Sequence, residues 1–173
     1  DLLVEGDVEE ELSNSDVVIE HSYHTQSQIH GMMENYIAVT YMDFQDRMNI
    51  ITSTQIPFHV RRHISKILDI PRSKIKVIKP RVGGGFGGKQ TAPMEIYPAL
   101  VTKVTGKPAK LVYNRKETHT CTTTRHEMKL TVRLGATKDG IINAVDIHGL
   151  SNTGAYGEHA WTVFSVVGQK TLP

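Results

Sequence analysis

Polar and apolar positions divide the chain into short elements of two periods. Residues 1–15 are acidic and polar, with five carboxylates between Glu5 and Glu11, and predict a solvated lead-in with at most a short helix. Residues 16–23 alternate around Val17, Val18, Ile19 and Tyr23, the period of a strand. A polar, non-periodic insert follows at 26–34. Residues 36–41 and 48–52 then predict two strands joined by a turn at 43–47. Neither is strongly amphipathic, so both are expected in a sheet covered on its two faces.

Helical spacing begins at 57–69, with Val60, Ile64, Ile67 and Leu68 as the buried stripe, Pro57 in the first turn and a threonine hydroxyl near the cap. Pro71 stops it. At 74–79, lysines 74, 76 and 79 interleave with Ile75 and Val77, the mark of a half-buried strand. A second helix is predicted over 93–104 from Ile96, Ala99, Leu100 and Val104, closed by Gly106. Strands are expected at 109–113, 126–135 and 141–151, the last two joined by a hairpin turn at 137–140. Trp161 and Phe164 are assigned to the core. The fold class is α+β, with mixed or antiparallel strands and two main helices.

Between the strand at 74–79 and the second helix lies Arg81-Val82-Gly83-Gly84-Gly85-Phe86-Gly87-Gly88-Lys89-Gln90, which holds five of the fourteen glycines. Glycine loses more freedom on folding than any other residue, so a structural turn seldom uses five of them. Converging amides in such a run make a concave site for an anionic oxygen, and a following helix would add its N-terminal donors. The run fits G-x-x-x-x-G-K and contains G-x-G-x-x-G. A triphosphate loop, however, needs Ser or Thr where Gln90 stands. A dinucleotide fold needs an acidic residue about 20 residues on, and Glu117 is too far. Lys89 is expected to cap or solvate the loop exit, Arg61 and Arg62 to face solvent, with contact to a cofactor phosphate as the lesser alternative, and Glu34 to fix local backbone or touch a ligand.

Composition narrows the partners. A net charge of +2 calls for neither nucleic acid nor an acidic surface, and no apolar run approaches the roughly 18 residues of a membrane helix. The single cysteine, Cys121, excludes an internal disulfide framework or a multi-cysteine metal site and fits a reducing, cytoplasmic setting. At 173 residues the chain can bury one core or two small lobes. It starts without methionine and reads as a piece of something larger.

Several blocks, in this order, resemble the amino-terminal part of the molybdenum-cofactor-binding region of the xanthine dehydrogenase and aldehyde oxidase family. They are Glu5-Gly6-Asp7-Val8-Glu9, Gln28-x-His30 with Met33-Glu34, Ser53-Thr54-Gln55-x-Pro57 with Arg61, residues 82–89, Arg125-His126, Asp139-Gly140 and Thr153-Gly154-Ala155-Tyr156. Residues 1–173 are accordingly expected to be a partial cofactor-binding domain.

The resemblance implies a hydroxylase that oxidises an N-heterocycle or aldehyde carbon with oxygen from water. Its metal would be held by a pterin dithiolene, in the cytosine dinucleotide form, and not by side chains. Gln28, Gly83, Gly84, Gly85, Phe86, Gly87 and Gly88 would bind the cofactor. Phe86 and Gly87 would lie against the metal centre with a backbone N–H directed at an oxygen ligand, and the Gln28 amide would approach from the other side. Gln90 stands where the xanthine-oxidising branch has a glutamate; an amide cannot supply that charge-assisted bond, so xanthine itself is not expected. The family's general-base glutamate lies beyond residue 173, so no catalytic residue is assigned and no turnover is expected from these residues alone. An iron–sulfur protein and an FAD protein would carry electrons away. A phosphate-loop nucleotide-binding module is the alternative reading.

Overall fold

The computed structural model describes residues 4–157 and 159–170. In chain order the elements are α1 (Val8–Ser13), β1 (Val17–Thr25), β2 (Ile37–Met42), β3 (Met48–Thr52), α2 (Pro57–Leu68), β4 (Ile75–Ile78), α3 (Ile96–Thr105), β5 (Ala109–Val112), α4 (Arg115–Thr120), β6 (Glu127–Ala136), β7 (Ile142–Asn152) and α5 (Ala160–Gln169). Short 3-10 turns at Arg72–Lys74 and Gly88–Gln90 precede β4 and follow the glycine run. The α+β class holds. The two predicted helices are α2 and α3, and the ten-residue α5 joins them as a third of comparable length.

Two compact units result, one from Asp1–Gln28 with His126–Pro173 and the other from Ile29–Arg125. In the first, β6 lies between β1 and β7 in an antiparallel sheet, with His21 opposite Val132 and Leu130 opposite Gly149. Helix α1 is tied to this sheet by Arg133 on β6, whose guanidinium bonds Glu9 at 2.5 Å and Asp146 on β7 at 2.7 Å. Phe164 on α5 packs over Gly149, where a Cβ would come within 2.8 Å of its ring. Trp161 is not core: it is 67% exposed. An aromatic on an apolar helix predicts burial only when the helix is covered all round, and this one is not.

The second unit carries a four-stranded sheet in the order β4-β3-β2-β5, mixed because β3 and β4 run parallel. That pair needs a crossover, and α2 supplies it. Val60, Ile64 and Leu68 of α2 meet Met48, Ile50, Ile75 and Ala99 in one dry cluster. Pro57 takes the first helical position as expected, but the cap residue is Ile56; the Thr54 hydroxyl accepts from the Ile56 amide at 3.1 Å and turns the chain one step earlier. The expectation of two fully covered strands divides. In β3 all but Ile51 is buried, whereas β2 alternates, with Ala38 and Thr40 buried. The Thr40 hydroxyl bonds Thr102 on α3 at 2.7 Å. Met32, Tyr36, Ala38 and Met94 form a second cluster directly beneath the glycine run.

Candidate functional site

Strand β4 delivers the chain into Arg81–Gln90, and three neighbouring segments hold that run in place. The first is the polar insert. Glu34 and Gly83 are paired reciprocally: the Gly83 amide donates to Glu34 Oε2 at 2.7 Å and the Glu34 amide to the Gly83 carbonyl at 3.2 Å. A Cβ on Gly83 would sit 2.7 Å from the Glu34 Cβ, so this approach requires glycine. The second is Ser53-Thr54-Gln55, where β3 gives way to α2. Gln55 donates its amide to the Lys89 carbonyl at 2.9 Å and accepts the Gly87 amide on Oε1 at 3.1 Å. A side chain on Gly85 would strike that same Oε1, at 2.4 Å. The third is Tyr36, whose hydroxyl donates to the Gly88 carbonyl at 2.5 Å.

Lys89 ties these together from inside. Its ammonium bonds Glu34 Oε2 at 2.6 Å and Ser53 Oγ at 2.7 Å, and lies 5.7 Å from the centre of the Tyr36 ring. Ser53 in turn donates to the same Glu34 oxygen. The lysine is 1% exposed, so the expectation that it solvates the loop exit is overturned. A lysine is buried this deeply only when its charge is met, and here the meeting carboxylate stands 55 residues upstream. Burial raises the Glu34 pKa, but the bonds from Lys89, Ser53 and the Gly83 amide outweigh it and hold the carboxyl below its ordinary value. Of the two roles open to Glu34, the structure gives it the backbone one. Burial pushes the Tyr36 phenol up to about 12, against a lowering bond with Thr122, so it stays a donor.

What this scaffold presents is Phe86. It is a non-glycine residue at φ 51°, flanked by Gly84 at φ 94° and Gly87 at φ 95°. A left-handed conformation costs an ordinary side chain on the order of 1 kcal/mol or more, and Phe86 recovers nothing by burial, being 66% exposed. The amides of Gly87, Gly88 and Gln90 are satisfied inside the loop or by Gln55. Those of Gly84, Gly85 and Phe86 find no acceptor among the described residues. Three consecutive unpaired donors, an exposed ring and an enforced backbone make a surface shaped for an anionic or oxygen-bearing ligand.

The helix donors expected behind the loop are not there. Gly88–Gln90 is a single 3-10 turn, and α3 starts only at Ile96, preceded by a buried glutamate, Glu95, whose side chain does not cap it. That geometry also removes the phosphate-loop alternative, which needs a helix immediately after the glycines and a lysine free to reach phosphate. Gln90 is half-buried at the end of the turn. Gln28 belongs to the first unit, exposed just beyond β1. Three residues of the scaffold carried no role in the sequence reading: Tyr36, Gln55 and Arg115. Arg115, on α4, bonds the Met32 carbonyl at 2.6 Å and the Met33 carbonyl at 2.5 Å, fixing the strand of chain that leads to Glu34. A signal existed for Gln55 alone, as part of the Ser-Thr-Gln-x-Pro block.

Comparison with known proteins gives a concordant picture. A probable hypoxanthine oxidase, XdhD, of Escherichia coli O157:H7 is 43% identical over 158 residues, which is 91% of this chain and 16% of that protein. The nicotinate dehydrogenase large molybdopterin subunit of Eubacterium barkeri is 36% identical over 160 residues, 92% of this chain and 38% of its own length. Among solved structures, the aldehyde oxidoreductase of Desulfovibrio gigas superposes with a TM-score of 0.78 at 25% identity, over 88% of this chain and 17% of the other. The chain therefore spans well under half the length of these relatives. The family model for the molybdopterin cofactor-binding domain matches residues 2–172, and the chain belongs to that family.

Proposed function

We propose that these residues are part of the molybdenum–molybdopterin-binding subunit of a xanthine dehydrogenase-like hydroxylase that oxidises an N-heterocycle or an aldehyde with water as oxygen source. The observation that carries it is Phe86, exposed and held left-handed beside three unpaired amides. When bound, the molybdenum–pterin supplies the two-electron redox chemistry. Gly84, Gly85 and Phe86 donate backbone hydrogen bonds to it. Gly83, Gly87 and Gly88, whose own amides are engaged, serve by leaving room for the cofactor to approach. The Gln28 amide is a further donor to it. Gln90 lines the substrate pocket, where a neutral amide favours a neutral heterocycle or aldehyde over a substrate that must be gripped by a carboxylate. The pterin is in the cytosine dinucleotide form, and an iron–sulfur protein and an FAD protein complete the electron path in the cytoplasm. Among the described residues no helix is long and apolar enough to cross a membrane.

Metal and pterin analysis of the full-length protein, purified with its partner subunits, tests this. Near-stoichiometric molybdenum and pterin are expected in the wild type. Phe86→Ala and Gln28→Ala are expected to lower occupancy with the fold retained. Molybdenum far below stoichiometric with no pterin in the wild type would overturn the reading.

A further inference from the structure

A second site lies on the same unit, on segments that precede the glycine run in sequence. An open cavity of about 470 Å³ is bounded by the first turn of α2, the 3-10 turn Arg72–Lys74 and the free edge of β4. Its walls carry Arg47, Arg61, Arg72, Lys76 and Lys79, and no carboxylate among the described residues lines it. Of these cations only Arg47 is neutralised, by Asp43 at 3.1 Å; the other four make no ion pair among the described residues. Helix α2 adds to the same sign. It has no side-chain cap and no acidic residue in its first turn, so its positive end is uncompensated.

Lysines on or beside an edge strand are a common device against edge-to-edge pairing, and that accounts for Lys76 on β4 and Lys79 just beyond its end. It does not account for Arg61. The Arg61 Nε is shut off from solvent and has no acceptor among the described residues, while its guanidinium stacks 5.8 Å from the centre of the Phe58 ring, which is itself 70% exposed. A buried, charged N–H without a partner is costly, and it sits in the wall of a cavity that gathers three further unpaired cations. A planar guanidinium with a forked donor edge is matched best by a tetrahedral or planar oxyanion.

We propose that this cavity binds a small phosphoryl anion, a phosphate ester or diphosphate, anchored by Arg61 and countered by Arg72, Lys76 and Lys79. The volume admits such a molecule and not a folded segment. The inference does not rest on the function proposed above, because none of the lining residues belongs to 81–90.

Titration of the protein with inorganic pyrophosphate and with orthophosphate, at ionic strength held constant with potassium chloride, tests the site by amide and Arg61 Nε–H resonances. Saturable shifts confined to Phe58, Arg61, Arg72 and Lys76 are expected, stronger with pyrophosphate, with a Kd below about 1 mM. Arg61→Gln and the surface variant Arg72→Gln should each weaken binding about tenfold, as loss of a charge-assisted bond does. Lys138→Gln, in the other unit, should leave it unchanged. Linear drift without saturation, equal drift around Lys138, or wild-type affinity in both Arg61→Gln and Arg72→Gln would overturn the proposal.

Discussion

Replacing Lys89 by methionine is the most direct probe of how the loop is held. Methionine keeps the length of the buried stem and removes only the charge, so the cost reports the Glu34–Ser53–Lys89 cluster and not a cavity. Breaking a buried pair by deleting one partner commonly costs about 3–5 kcal/mol, because the other charge is left stranded. Here the stranded partner is Glu34, which is 30% exposed and keeps its Ser53 and Gly83 donors, so water can take back part of the load. The expected loss is about 2–3 kcal/mol. In a double-mutant cycle with Glu34→Gln, a coupling of roughly 1–2 kcal/mol is expected. Because the Glu34 carboxyl is held below its ordinary value, its contribution is fully present above the unfolded carboxylate range of about 4.3 and is lost as pH falls through the folded value. The gap between wild type and Lys89→Met should therefore narrow below about pH 4. The assay is native-state hydrogen exchange at Ile50 and Ile64, whose amides report the second unit alone, followed across pH. A loss under about 0.5 kcal/mol at neutral pH, or a coupling indistinguishable from zero, would refute the reasoning.

Two further outcomes separate the contributions of the neighbours. Glu95 is 1% exposed; burial raises its pKa, and its bonds from Thr52 and the Met94 amide offset this only in part. A raised folded value means relative stability that is present at low pH and lost as pH rises through the folded value, so Glu95→Gln should gain on wild type as pH rises above the unfolded carboxylate value of about 4.3 in thermal melts; parallel pH slopes would contradict this. Gly85→Ala would push Gln55 Oε1 aside and free the Gly87 amide. It should cost about 1–2 kcal/mol and speed exchange at Gly87 more than at Ile64. Uniform change at both would show that Gln55 does not hold the loop.

Much of this was legible before any coordinates. The helix α2 with Val60, Ile64 and Leu68 buried and the hairpin of β6 and β7 rest on local periodicity, which backbone geometry converts directly into buried faces; Ile67, counted in the same stripe, is 62% exposed, and the parallel pairing of β3 with β4 came only with the fold. Five glycines in one run marked the loop, because no local preference favours them without a close approach or a left-handed backbone. Misjudged residues were those whose surroundings come from far along the chain. Nothing near Lys89 in sequence announces Glu34, and nothing in residues 160–169 tells that Trp161 is left uncovered.

Local order thus came from the chain alone: the strand and helix periods, the place of the glycine run and the block order that marks its family. The fold alone decided which amides of that run are left without acceptors, and that a lysine and a glutamate 55 residues apart cancel one another inside it. The physical reason is that periodicity is a property of neighbours a few residues apart. Desolvation and charge pairing are instead properties of whichever groups the folded chain brings within about 3 Å.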